Sequence, residues 1–319
     1  MRRWLVLAVI SFAVAATAQM AVAAYPDRPI RMIVAFPPGG SIDVVARILA
    51  ERLRLVAGQP IVVENRAGAA GNIAAQSVAA AAPDGYTALM TTSAIAINPW
   101  MSSGSLDPVK DLSAVTRVAI SPYVLVVRPT LPVKSLEDFV ALAKSQPGKL
   151  TCSTYGLGSP PHLALELLKR EAGIDIVHAP YRGFGQALPD LSTGLLDCAI
   201  ETPANCEQHV NAGTIKAIAV TGPAPLAKFP GAKTMSALYP KVVVEGYQMI
   251  LLPAAAPLAL REQLAGELGR ILREPEIEKR LRELGFEPVG DTPEQAGAVL
   301  KDDYERFGPI IGALKLKPE

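Results

Sequence analysis

The sequence predicts an α/β protein of two lobes, each a mostly parallel sheet flanked by helices, and three observations carry that reading. Strand-like and helix-like runs alternate along the chain, the pattern of βαβ units. Four loops repeat one design: a strand end, then small flexible residues, then a helix. The 319 residues, less an expected leader of 24, leave 319 − 24 = 295, more than one compact core usually holds.

The leader comes first. Arg2 and Arg3 precede an apolar run over 4–16 and the small residues Ala21-Val22-Ala23-Ala24, the order of a cleaved secretory signal peptide, with cleavage after Ala23 or Ala24. No comparable apolar run follows, so the mature chain is expected to be periplasmic and not membrane-inserted. The first lobe then reads as a strand over 30–36, a helix capped by Ser41, a strand over 61–63, an Ala-rich helix over 72–81 and a strand over 87–91. The second set has a strand over 123–127, a helix capped at Ser135 with Asp138 three residues on, and a strand over 150–154. It continues with a helix over 162–171, a strand over 176–181, a helix over 186–192, and strands over 197–200 and 215–221. The tail returns with a strand over 247–252, helices over 258–272 and 275–284, and a last helix opened by Thr292, Pro293 and Gln295. The lobes are therefore expected at 25–124 plus 246–319 and at 125–245. No low-complexity linker separates them, so strands should make the crossing.

Composition excludes several classes of function. Without Arg2 and Arg3 the basic residues fall from 31 to 29 against 30 acidic ones, a mature net charge of 29 − 30 = −1 that offers nothing to nucleic acid. His162, His178 and His209 lack ligand spacing, so no metal is expected. No G-x-S-x-G, H-E-x-x-H or G-x-x-x-x-G-K-[ST] motif is present, and no dinucleotide fingerprint followed by a placed acid; neither a catalytic residue nor a cofactor is expected. Cys152, Cys198 and Cys206 form an odd set in an oxidising compartment, so one stays free or pairs outside the chain, and a short bridge from Cys198 to Cys206 is open.

The loops carry the candidate site. Pro37-Pro38-Gly39-Gly40 ends the first strand and Ser41 starts a helix, a junction whose unpaired amides and positive dipole end suit an anion. Phe36, Pro38, Gly39, Gly40, Ser41 and Asp43 belong to it, although a carboxylate at Asp43 is welcome in a first helical turn whether or not it meets a ligand. Ala67 and Gly68 lie in the second loop, where successive amides run to Gly71 and Asn72. Thr92 and Ser93 supply hydroxyls in the third. Ser153, Thr154, Tyr155, Gly158 and Ser159 form the fourth, at a second helix N-terminus, so a ligand with two carboxylates would fit between two helix ends. Tyr181 either walls the pocket or simply packs. Arg182 could take a carboxylate bidentately or stand as a solvated loop arginine. His162, opening its helix, reads as a structural partner.

These segments resemble the periplasmic solute receptors of tripartite tricarboxylate transporters, the Bug proteins, across nearly the whole mature chain. The likeness rests on Tyr25-Pro-Asp-Arg-Pro-Ile-Arg, Phe36-Pro-Pro-Gly-Gly-Ser-Ile-Asp43 with Ala46-Arg47, Glu64-Asn-Arg-Ala-Gly68 with Gly71-Asn72, and Pro83-Asp-Gly-Tyr86. It extends through Tyr155-Gly-x-Gly-Ser159 with His162-Leu163, Ala179-Pro-Tyr-Arg-Gly183, and the stretch from Gly213 to Thr221. The resemblance implies a type II-like periplasmic binding fold, monomeric, that closes on a small carboxylate and delivers it to the transporter's membrane subunits. It also implies a ligand gripped by the amides of the loop from Phe36 to Asp43, the Ser93 loop and the loop from Ser153 to Ser159. Two segments depart from the family pattern: Phe184-Gly185-Gln186 replaces an Ala-Pro step, and Gln248-Met249-Ile250 stands where a tryptophan usually follows Gly246-Tyr247. A sensor presenting the same ligand to a membrane kinase would share every one of these features, and turnover of a bound acid would mark a periplasmic enzyme.

Overall fold

The mostly apolar stretch Ile30–Val34, with Arg31 exposed, forms β1 and stops where Pro37 and Pro38 withdraw two amide donors and Gly39 turns at φ 83°. Helix α1 (Ser41–Ala57) follows, burying Ile42, Val45, Ala46, Leu49 and Leu53 at helical spacing and ending at Gly58 in the left-handed conformation. The computed structural model describes residues 25–102, 104–181 and 183–313; the expected leader over 1–24 lies outside them. The first lobe continues with β2 (Ile61–Asn65), α2 (Asn72–Ala79), β3 (Thr87–Thr92), α3 (Ala94–Met101), a short α4 (Pro108–Asp111) and β4 (Leu112–Pro122). Tyr123 then leads directly into the second lobe, whose elements are β5 (Val124–Val127), α5 (Leu136–Ser145), β6 (Thr151–Thr154), α6 (Pro160–Ala172), β7 (Val177–Pro180), α7 (Phe184–Thr193), β8 (Cys198–Glu201), α8 (Pro203–Asn211), β9 (Lys216–Val220) and β10 (Lys233–Thr234). The chain returns through β11 (Glu245–Pro253), α9 (Leu258–Leu272), α10 (Pro275–Glu283), β12 (Glu287–Pro288) and α11 (Pro293–Ala313).

Two six-stranded sheets result, ordered β12-β4-β11-β3-β1-β2 and β10-β9-β5-β8-β6-β7. The two-lobed α/β architecture is as expected, but the sheets are mixed where mostly parallel ones were expected. Strands β2, β1 and β3 are parallel, as are β7, β6 and β8, whereas β11 is antiparallel to both β3 and β4, and β5 to both β8 and β9. The reason is topological. A strand arriving from the other lobe enters its sheet at the edge where the parallel strands finish, so it must run against them. Strand β4, which carries no clear strand signal in the sequence, is almost entirely buried; its Ser-Ala-Val-Thr-Arg mixture shows no clean alternation because both faces of the sheet are covered.

Helices cover both faces of each sheet. In lobe 1, α1 and α9 pack Leu49 and Leu268 on one face while α2 and α11 pack Val78 and Leu300 on the other. In lobe 2, Phe139 and Leu163 lie on one face with Cys152 and Cys198, and Phe184 and Leu191 on the other with Ala199 and Cys206. The far end of α11 contributes Phe307, Ile310 and Ile311 to the lobe 2 core, so this helix links the lobes beside the two strand crossings.

That two-faced core corrects the cysteine expectation. Cys152 and Cys198 sit opposite each other on β6 and β8, Cα atoms 4.5 Å apart, and form the disulfide, leaving Cys206 buried and free. A Cys198–Cys206 bridge fails because Cys198 points to one side of the sheet and Cys206 packs on the other. Among the described residues no helix is long and apolar enough to cross a membrane, and no three His, Cys, Asp or Glu side chains are grouped to hold a metal.

Candidate functional site

The strand ends converge on a cleft of about 920 Å³ between the lobes. Its lobe 1 wall carries Phe36, Gly40 and Ser41 from the first loop and Thr92 and Ser93 from the third; its lobe 2 wall carries Tyr155, Gly158 and Ser159. These eight expected residues are brought together. Pro38, Gly39, Asp43, Ala67 and Gly68 stay in or behind the first two loops, off the cleft wall, and Ser153, Thr154 and Tyr181 surround a separate small void within lobe 2. Arg182 lies outside the described residues.

The loop after β1 is held from behind. Asp43, buried in α1, accepts from the Gly39 amide at 2.9 Å, the Arg47 guanidinium at 2.9 Å and Asn65 Nδ2 at 2.8 Å, while Asn65 Nδ2 also donates to Phe36 O at 3.0 Å. Arg47, with the Gly39 and Asn65 bonds behind it, holds the Asp43 carboxyl down at about 2, so it is ionised at any neutral pH. Gly40 caps α1 in extended conformation with no side-chain cap, which corrects the expectation that Ser41 fills that place. The first backbone bond into the helix runs from Val44 N to Gly40 O, so the amides of Ser41, Ile42 and Asp43 have no helical acceptor and point toward the cleft end of the helix. Charge-poor surroundings strengthen such a dipole end: among the described lining residues none is Asp, Glu, Lys or Arg.

Lobe 2 differs. Pro160 and Pro161 have no amide hydrogens, Ser159 Oγ takes the His162 amide, and the Gly158 amide donates to His162 Nδ1 at 3.0 Å. This helix N-terminus has consumed its own donors, so the expected pair of facing anion-binding helix ends is present on the lobe 1 side alone. His162 is structural, as its position suggested: buried and stacked on His178 at 4.1 Å between ring centroids, it is kept neutral by burial, which with the nearby Lys169 lowers its pKa to about 4. Burial, with His162 and Lys169 beside it, does the same to His178, whose Nε2 meets Thr154 Oγ1 at 2.7 Å. Behind Tyr155, Glu201 is buried with Asn205 Nδ2 donating to it at 2.9 Å, and desolvation pushes its carboxyl up to about 7 against the pull of the Tyr155 and Asn205 hydrogen bonds.

Several wall residues were not expected. Ser121, Tyr123 and Tyr247 come from the crossing strands, Phe286 from the turn before β12, and Ile97, Asn98 and Met101 from α3. Their positions follow from the crossing topology and not from any local motif. Ala69 and Ala70 line the cleft with positive φ of 45° and 51°, a conformation costly for alanine that Asn98 Nδ2 helps hold by donating to Ala70 O at 2.8 Å. Asn72 and Gln248 also face it; the sequence signals were the former's place at the end of the glycine-rich second loop and the latter's departure from the family pattern.

The model of the tripartite tricarboxylate transporter family receptor matches residues 45–316. The Bordetella pertussis protein BugT is 35% identical over 291 residues, covering 90% of this chain and 89% of its own. Among solved structures, R. palustris Rpa4515 with adipate superposes with a TM-score of 0.73 at 30% identity over 92% of this chain and all of its own. MatC from Rhodopseudomonas palustris with bound malate gives 0.68 at 27% identity over 90% of this chain and all of its own.

Proposed function

The chain belongs to the tripartite tricarboxylate transporter receptor family, a family of periplasmic solute-binding proteins, and from that premise we propose that it captures a small carboxylate between its lobes and hands it to the transporter's membrane subunits. The observation that supports this best is the uncapped N-terminus of α1 opening on a large cleft that has no charged side chain among its described walls. An anion there is held by backbone amides and the helix dipole, with Ser41, Thr92 and Ser93 adding hydroxyls around it. The binding unit comprises lobe 1 over 25–124 plus 246–319 and lobe 2 over 125–245, acting as a monomer after export and loss of the leader. Asp43 and Gly39 serve by shaping the loop, and no residue of the cleft is assigned a catalytic part.

The test is thermal unfolding of refolded, ligand-stripped protein against a panel of C3 to C8 aliphatic and aromatic carboxylates. A ligand at 100 times its dissociation constant adds about 2.7 kcal/mol. At about 2 to 4 °C per kcal/mol that is a rise of roughly 5 to 10 °C in the midpoint, with the acid recovered unchanged. No shift across the panel would defeat the reading.

A further inference from the structure

Glu201 ends β8 with 2% of its surface exposed, and no Lys or Arg among the described residues holds its carboxyl. Its partners are neutral. Asn205 Nδ2 donates to it at 2.9 Å from the exposed first turn of α8, and the Tyr155 hydroxyl, which accepts the Thr202 amide at 3.3 Å, has its own hydrogen left for the carboxyl. On the sides of β5 and α8, Tyr123 and Cys206 are the titratable neighbours; burial, and then the Glu201 charge, push both up, so both are neutral near pH 7. On the side of α7, Tyr181 shares the small void with Glu201, and its hydroxyl donates to Asp190. A buried carboxyl without a cation is costly to ionise, and here the charged and neutral forms balance at about 7, so a modest change in the local field tips the group from one to the other.

The cleft supplies that change, because Tyr155 and Thr202 both line it and together form the partition in front of Glu201. Building on the receptor reading above, we propose that Glu201 is a positioning residue that couples capture to protonation: when a carboxylate enters the cleft, Glu201 passes from ionised to neutral, and acid and proton are bound together. The incoming anion is a like charge across one tyrosine ring, with little water between once the lobes close, and like charge disfavours the ionised form. The proton comes from solvent by way of the exposed Asn205 end of the group. Once protonated, Glu201 becomes a donor in its turn, and the Tyr155 oxygen can accept from it, which frees the hydrogen that the ionised carboxyl had held.

The sign of the pH dependence follows. Below pH 7 Glu201 already carries its proton and binding takes up none; as pH rises through 7 the proton must be acquired on binding, so affinity falls. The test is calorimetric titration of the ligand-stripped protein with the straight-chain diacids from succinate to suberate, and with benzoate and phenylacetate, between pH 6.5 and 8.5. For each acid that binds, the affinity should fall about three- to tenfold over that range. At pH 7.5, heats measured in HEPES, imidazole and Tris, which differ in ionisation enthalpy, should report uptake of about a quarter to a half of a proton per ligand. Glu201→Gln, a fixed mimic of the neutral form, should abolish both the uptake and the fall, binding at pH 8.5 as wild type does at pH 6.5. Tyr155→Phe removes a donor to the ionised carboxyl and should move the pH of greatest uptake upward. Affinity and heats independent of pH and buffer in the wild-type protein, or proton uptake unchanged in folded Glu201→Gln, would overturn the proposal and leave the receptor reading standing. If Glu201→Gln does not fold, the shift in Tyr155→Phe decides, and an unmoved uptake profile there overturns it. Failure of every acid to bind would remove the receptor reading and this proposal together.

Discussion

Gly40 and Asp43 are one helical turn apart on the same loop, yet replacing them should have opposite consequences. Gly40 has an ordinary φ of −72°, and an added Cβ would meet nothing nearer than Pro37 O at 3.6 Å. The backbone tolerates a side chain there, but the residue lines the cleft beside the free amides of α1. Gly40→Val is thus expected to leave the unfolding midpoint within about 2 °C of wild type, a change of ≲0.5 kcal/mol, while weakening carboxylate binding by tenfold or more; unimpaired binding in calorimetry would remove the anion from this loop. Asp43→Ala acts from behind. It strands the Gly39 amide and the Asn65 amide, which should cost about 1 to 3 kcal/mol of stability as well as affinity, both measurable in one denaturant series with and without ligand. Because Arg47 holds the folded carboxyl at about 2, below its ordinary 3.8, the stability it contributes is present above pH 3.8 and is lost only as pH falls toward 2. Binding should accordingly be insensitive to this group at any pH above about 5.

At the scale of elements, the two helix N-termini at the cleft look alike in sequence, each a Gly- and Pro-rich turn with serine at the start, and differ in structure. What separates them is the pair Pro160-Pro161 together with His162, whose ring takes the Gly158 amide. The histidine could be placed at the helix start from sequence, but its acceptance of a loop amide depends on the rotamer set by stacking on His178, a contact between β7 and α6 that no local pattern records. The same limit applies elsewhere. Most elements were legible from apolar runs and caps such as Ser135 and Thr292, because these are local signals. Strand β4, the disulfide partner of Cys198 and the wall residues Tyr123 and Phe286 were not, since each is fixed by which strands become neighbours. One consequence at β8 is measurable. Burial raises Glu201 from an ordinary 4.5 to about 7, so the folded protein binds more protons than the unfolded chain between those values, and the stability this group contributes is full below 4.5 and lost as pH rises through 7. The His162 and His178 pair works the other way, losing stability as pH falls from 6.5 toward 4. Glu201→Gln, which mimics the protonated form, isolates the first effect: it should raise the unfolding midpoint more at pH 8 than at pH 5. An equal effect at both values would mean that Glu201 is not held protonated by its burial.

Over the whole molecule, three segments join the lobes: the crossing through Tyr123, the return into β11, and α11, whose Phe307 and Ile311 pack into the lobe 2 core. Such a linkage allows the lobes to rock about one side while the opposite side opens and shuts. Close approaches between the lobes show where they meet. A Cβ on Gly285, which precedes the cleft residue Phe286 and has φ 83°, would lie 2.7 Å from Ala204 Cβ at the start of α8, and one on Gly158 would lie 2.8 Å from Met101 Cε. Ala204 is exposed and lines no part of the cleft, so its replacement perturbs neither a core nor the ligand's contacts. If binding needs the lobes this close, a bulky residue at 204 must hold them apart, and the apparent affinity falls in proportion to the fraction of molecules that can still close. Ala204→Phe is expected to weaken carboxylate binding by about tenfold, corresponding to a closed population of about one in ten, with an unfolding midpoint unchanged in the absence of ligand. Small-angle scattering should show the variant remaining expanded at ligand concentrations that compact the wild-type protein. Wild-type affinity in Ala204→Phe would show that the ligand is held by lobe 1 alone and that the approach of α8 to Gly285 has no part in capture.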